Sequence, residues 1–158
     1  YTDEGRAKAQ ALRADLDTDQ FANDLGDTVA ALKARPDCSG KVGVVGFCLG
    51  GKFTYLSATR HEIDAAVSYY GVQIHEYLDE AENLHCPILM HFAGIDPHVP
   101  QDTVDAIQAH MGAWDNVDIH LYPGAEHGFN RDGYPPYSEA AAGPAMQRTL
   151  AHFRKLLR

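Results

Sequence analysis

Three residues of this chain carry the chemistry of nucleophilic catalysis. Cys48 sits at the centre of Gly46-Phe47-Cys48-Leu49-Gly50, Asp96 lies in Gly94-Ile95-Asp96-Pro97-His98-Val99-Pro100, and His127 lies in Gly124-Ala125-Glu126-His127-Gly128-Phe129. A thiolate attacks an acyl carbon, an imidazole takes and returns the proton, and a carboxylate on the far ring nitrogen fixes the tautomer. Taken singly, each residue has a plainer reading. Free cysteine is among the most buried residues, and an aspartate before proline is often a turn former. Against this, Gly43, Gly46, Gly50 and Gly51 surround Cys48. A strand that turns at once into a helix needs such glycines, because side chains at 46 or 50 would collide with the neighbouring strand or helix. That turn lifts the sulfur above the sheet edge and aims the Leu49 N–H where an attacked carbonyl oxygen gathers charge. The following helix points its positive end at the same spot, which favours a thiolate.

The elements that must hold these residues follow from the apolar patterning. Val42, Val44 and Val45 form a short β-branched strand leading into the turn, and a helix follows over residues 50–59. Residues 65–70, closed by Gly71, make a second strand. Residues 88–93 make a third, opened by Cys86-Pro87, and residues 117–122 a fourth. Val104, Ile107 and Met111 mark a helix that stops at Gly112. Met146, Leu150, Phe153 and Leu157 mark the last helix, with Gly143-Pro144 at its start or at a kink. Upstream, residues 1–15 read as an exposed helix. A capping box over residues 17–20 then opens a helix with Phe21, Leu25, Val29 and Leu32 on its apolar face, ended by Arg35-Pro36. Residues 73–84 read as a connection with one helical turn, and residues 94–100 and 123–129 as loops. Strands alternating with helices predict a single α/β domain over residues 1–158, with a mostly parallel sheet covered on both faces. Ligands then sit beyond the carboxyl ends of the strands, which selects the loops of Cys48, Asp96 and His127. His98 is the rival base. His91 and His120 fall inside strands, His110 and His152 on helices, and His61, His75 and His85 in loops away from that edge.

Composition narrows the partners. The chain has 158 residues and a formal charge of −9, which disfavours nucleic acid and anionic membranes. A small anionic substrate stays compatible, because a few local arginines outvote the global charge. Three widely spaced cysteines, Cys38, Cys48 and Cys86, fit a reducing, cytoplasmic compartment better than a disulfide framework. Nine histidines occur without H-x-x-x-H, H-E-x-x-H or C-x-x-C spacing, so neither a metal nor another cofactor is expected. The sequence does not address oligomeric state.

The three motifs, Gly46-Phe-Cys-Leu-Gly-Gly51, Ala93-Gly-Ile-Asp-Pro-His-Val-Pro100 and Gly124-Ala-Glu-His-Gly-Phe-Asn-Arg131, resemble the active-site motifs of the dienelactone hydrolase family, and the resemblance runs over nearly the whole chain. It implies an α/β-hydrolase fold, Cys48 as nucleophile, Asp96 as orienting acid, His127 as base and Leu49 as one oxyanion donor. It further implies hydrolysis of dienelactone to maleylacetate in the breakdown of catechols and chlorocatechols. Two arginines are implied to grip a substrate carboxylate: Arg131, four residues after the histidine, and Arg6, by its spacing to the cysteine. The family's fold begins with further strands, carrying the second oxyanion N–H, that have no counterpart here. The expectation is therefore a carboxyl-terminal part of such an enzyme, by itself a weak catalyst and prone to association. A broad carboxylesterase of the same fold, or a non-catalytic partner module, are the alternatives.

Overall fold

The computed structural model describes residues 2–158, so Tyr1, the start of the expected first helix, lies outside the described residues. The centre is a parallel four-stranded sheet in the order β1-β2-β3-β4, formed by β1 (Gly43–Phe47), β2 (Ala65–Tyr69), β3 (Ile88–Ile95) and β4 (Val117–Glu126). Each strand is followed by a helical connection: α3 (Leu49–Arg60), a 3₁₀ segment (Ile74–Asn83), α4 (Gln101–Met111) and α5 (Glu139–Leu156). The 3₁₀ segment is longer than the single turn expected, with a break at Tyr77. Ahead of the sheet run α1 (Asp3–Ala14), which buries no residue, and α2 (Thr18–Lys33).

Alternate residues of the strands divide the core. Ala66, Ile88, Met90 and Phe92 pack with α2, α3 and α4 on one face, whereas Val67, Tyr69, Leu89 and Ala93 pack with α5 on the other. Among the described residues β1 pairs on one side only, and its Val45 and Phe47 side chains stay 45% and 44% exposed.

Three helical details differ from expectation, the first through a competing hydrogen bond and the other two for steric reasons. Asp17 Oδ1 caps α2 by accepting from the Asp19 and Gln20 N–H groups at 3.0 Å. Gln20, however, turns forward to Asp24 at 2.8 Å, so only half of a capping box forms. The buried residues of α2 are Ala22 and Val29, while Phe21 and Leu32 are exposed. His61 donates to the Ala22 carbonyl at 2.8 Å and lies so close to Gly26 that a Cβ there would meet its ring at 2.5 Å. The helix therefore turns its small residues toward α3. In α5, Pro144 lies inside the helix, and Ala141, Ala142, Ala145 and Thr149 face the sheet while Met146 and Leu150 point outward. Tyr69 and Phe129 already fill that face of the core, so only small side chains allow α5 to approach.

β4 also runs further than its apolar pattern, through Pro123 and Gly124 to Glu126. Gly94 permits this, since a Cβ there would lie 2.5 Å from Pro123. After a shift in register the two strands close with Ile95 opposite Glu126.

Candidate active site

That last pair places the site. Asp96 and His127 are the next residues after Ile95 and Glu126, so they leave the sheet side by side. His127 Nδ1 donates to Asp96 Oδ2 at 2.7 Å, and the Asp96 side chain is fully shielded from solvent. Asp96 Oδ1 accepts from the N–H groups of His98 and Val99 at 2.8 and 3.2 Å, which locks the carboxylate. His98 thus serves Asp96 through its backbone. Its exposed ring stands edge-on to His127, with 4.7 Å between centroids, and does not take the position between acid and thiol.

Cys48 follows β1 in the same way. Its backbone has φ 56 and ψ −117, a conformation that costs a non-glycine residue roughly 1–3 kcal/mol. Three hydrogen bonds hold it there. Its N–H donates to the Tyr69 carbonyl at 3.0 Å, and its own carbonyl accepts from Gly51 at 3.0 Å and Val72 at 3.3 Å. A side chain at Gly46 would strike the Gly50 carbonyl, and one at Gly51 would sit 2.6 Å from the Gly71 Cα. Gly50 itself has open space where a Cβ would go, so the crowding falls on Gly46 and Gly51 and not on Gly50.

The electrostatics follow from this placement. The His127 ring is the largest influence lowering the Cys48 thiol below the ordinary 9.0. Burial opposes it, while the imidazolium charge, the Leu49 N–H and Arg13 add to it. For His127, burial acts to lower the pKa, but Cys48 and Asp96 outweigh it and the ring ends above the ordinary 6.5. Both shifts favour a thiolate–imidazolium pair. His127 Nε2, the ring nitrogen away from Asp96, is buried and has no partner in hydrogen-bond geometry, although the ring is near enough to be the main influence on the Cys48 thiol. The other cysteines differ: burial pushes Cys86 up to about 11, and Cys38 is a half-buried thiol away from the sheet edge. Iodoacetamide is accordingly expected to label Cys48 first, by about tenfold or more over Cys38, with Cys86 last. Mass spectrometry of the three peptides checks this, and equal rates would contradict the activated thiol.

A cleft of about 440 Å³ opens over the sulfur, lined by Phe47, Cys48, Tyr70, His127, Asn130 and Arg131. Arg131 lies at its exposed rim, over the Tyr134 ring at 5.3 Å. Tyr70, which sequence reasoning did not single out, packs its ring 4.8 Å from His127, and burial pushes its hydroxyl up to about 12. Its signal was positional: Tyr70 is the first residue after β2, as Cys48 is after β1. Arg6 lies on the exposed helix α1 and is not among the cleft residues; on that helix it is Arg13 whose charge bears on Cys48. Among the described residues, no group of three or more His, Cys, Asp or Glu is arranged to hold a metal, and no helix is long and apolar enough to cross a membrane.

The chain is similar in sequence and in fold to known proteins. Carboxymethylenebutenolidase 1 of Cupriavidus pinatubonensis is 32% identical over 92% of the chain, which spans 62% of that relative's length. The carboxymethylenebutenolidase of Pseudomonas putida is 34% identical over 92% of the chain and 61% of its own length. The crystal structure of a candidate dienelactone hydrolase from Klebsiella pneumoniae superposes with a TM-score of 0.78 at 34% identity, over 86% of this chain and 61% of that one. A dienelactone hydrolase-like phosphotriesterase from metagenomic libraries, at 24% identity and a TM-score of 0.71, shares the fold. The chain thus spans somewhat under two thirds of these relatives, and its fold is that of the α/β hydrolases. Since the sequence profile of the family matches residues 1–157, almost the whole chain, we conclude that the chain belongs to the dienelactone hydrolase family.

Proposed function

We propose that Cys48, His127 and Asp96 form the hydrolytic centre of an enzyme that opens small activated lactones or esters, with dienelactone to maleylacetate as the leading reaction. The observation that carries this reading is the 2.7 Å Asp96–His127 bond combined with a buried, unpaired His127 Nε2 on the thiol side. The Cys48 thiolate adds to the lactone carbonyl, forming a C–S bond and an oxyanion beside the Leu49 N–H. Collapse breaks the ring C–O bond and expels an enolate, which takes the proton held on His127 Nε2. Water then loses a proton to His127 and adds to the thioester. The C–S bond breaks, and the acid and the thiolate are released. An enolate is a good leaving group, which suits a thiolate nucleophile.

Arg131 at the rim supplies a planar fork for a substrate carboxylate, and Arg6 is the second candidate for that role. Arg131→Met is expected to raise KM for a carboxylate-bearing lactone by about ten- to a hundredfold, the value of one charged hydrogen-bonded pair. A neutral p-nitrophenyl ester should be almost unaffected. Equal loss on both substrates would assign Arg131 to the fold. A broad carboxylesterase is the second reading, favoured by the exposed Phe47 and the Tyr70 ring in the cleft. Faster turnover of neutral esters than of the anionic lactone would select it.

A further inference from the structure

On the other side of the nucleophile turn, a second cavity of about 250 Å³ is lined by Arg13, Thr18, Leu49, Lys52, Gln73 and Tyr77. Its content is unusual for a chain with a formal charge of −9: two cations, a hydroxyl and an amide converge on one small space. Lys52 is only 4% exposed. Lysine is seldom buried so deeply unless paired, because its ammonium loses water. Yet among the described residues Lys52 forms no ion pair with a carboxylate. Its Nζ reaches only two neutral oxygens, Thr18 Oγ1 at 3.3 Å and Gln73 Oε1 at 3.5 Å, and lies 4.9 Å above the Phe53 ring. Burial holds the ammonium below the ordinary lysine value, opposed by Glu76 and reinforced by Arg13. Glu76 is taken up by Gln73, whose Nε2 donates to it at 3.2 and 3.3 Å. Gln73 is itself held at φ 60, an unfavoured backbone for a side-chain-bearing residue, with its amide between Glu76 and Lys52.

We propose that this cavity binds a small oxyanion, a carboxylate or phosphate, between Lys52 and Arg13. The ligand would supply a third, charged acceptor beside the two neutral oxygens that Lys52 Nζ reaches, and the Thr18 hydroxyl, which accepts from Lys52, keeps its own proton to donate to it. The site adjoins the hydrolytic centre, because Leu49 lines it and the Arg13 charge reaches Cys48. Its occupant is either the substrate's carboxylate, held here instead of at Arg131, which rests on the hydrolytic reading proposed above, or a free anion that offsets the Arg13 field on the thiol.

The test is calorimetric titration of the protein with inorganic phosphate and with succinate at constant ionic strength, which needs no catalytic activity. One site is expected, with affinity weakened about tenfold or more in Lys52→Met and in Arg13→Gln, and unchanged in Arg131→Met. Arg13 is exposed on a helix that buries nothing, so Arg13→Gln serves if Lys52→Met fails to fold. Competitive inhibition of anionic-lactone hydrolysis by phosphate would identify the substrate's acid group as occupant. Slower alkylation of Cys48 without competition would identify a free anion. Absence of binding, equal binding by wild type and Arg13→Gln, or a loss confined to Arg131→Met would overturn the proposal.

Discussion

Under the proposed mechanism, Cys48→Ala is expected to lower kcat by about ten-thousandfold or more on any ester or lactone that is hydrolysed, because the covalent intermediate proposed there forms on the Cys48 sulfur. Residual turnover would come only from binding and from the Leu49 N–H. The thermal transition should stay close to that of the wild type. Alanine keeps the same strained backbone, which is held by hydrogen bonds from Cys48 N–H and to its carbonyl and not by the sulfur. The corresponding changes at Cys38 and Cys86 should leave kcat within about twofold, since surface and small core changes seldom reach a site they do not touch. A stopped-flow burst with an activated ester makes the comparison direct. The burst disappears in Cys48→Ala alone, and a burst that survived there would place the nucleophile elsewhere.

Asp96→Asn should be nearly as damaging while leaving the fold intact. The oxygen of the introduced amide could still accept from the His98 and Val99 N–H groups, as Asp96 Oδ1 does now. The amide NH2 would then face His127 Nδ1, which at present donates to Asp96 Oδ2 at 2.7 Å. To avoid two opposed donors the ring must carry its proton on Nε2, the nitrogen that the proposed mechanism needs free to accept from the thiol. A tautomer reversed in this way costs about ten-thousandfold in kcat. The Cys48 thiol should also titrate higher. His127 is the first cause of its lowered value, and the imidazolium loses its carboxylate neighbour. The pH at which iodoacetamide reaches half its maximal rate therefore moves up toward the ordinary 9.0, and the rate at neutral pH falls. An unchanged alkylation profile would separate Asp96 from the Cys48–His127 pair.

Much of this site is written locally. Gly46 answers to a contact within the turn itself, the Gly50 carbonyl, so the strand, the turn and α3 were legible from consecutive residues, whereas Gly51 answers to Gly71 after β2. So was the chain order Cys48, Asp96, His127, because each follows a run of strand-forming residues. What the local pattern missed depends on contacts between distant segments. Pro123-Gly124 has the composition of a loop, but β4 continues through it because Gly94 lets the two backbones touch, and only then do Asp96 and His127 emerge together. The inward face of α5 is set by aromatic volume supplied by β2 and the segment after β4, which makes alanines the residues that fit and leaves Met146 and Leu150 outside. Arg13, Thr18, Lys52 and Gln73 come from α1, α2, α3 and the turn after β2, and nothing in their spacing links them. Periodicity records which residues of one element can be buried together, whereas a cavity built from four elements exists only once their packing has set the distances between them.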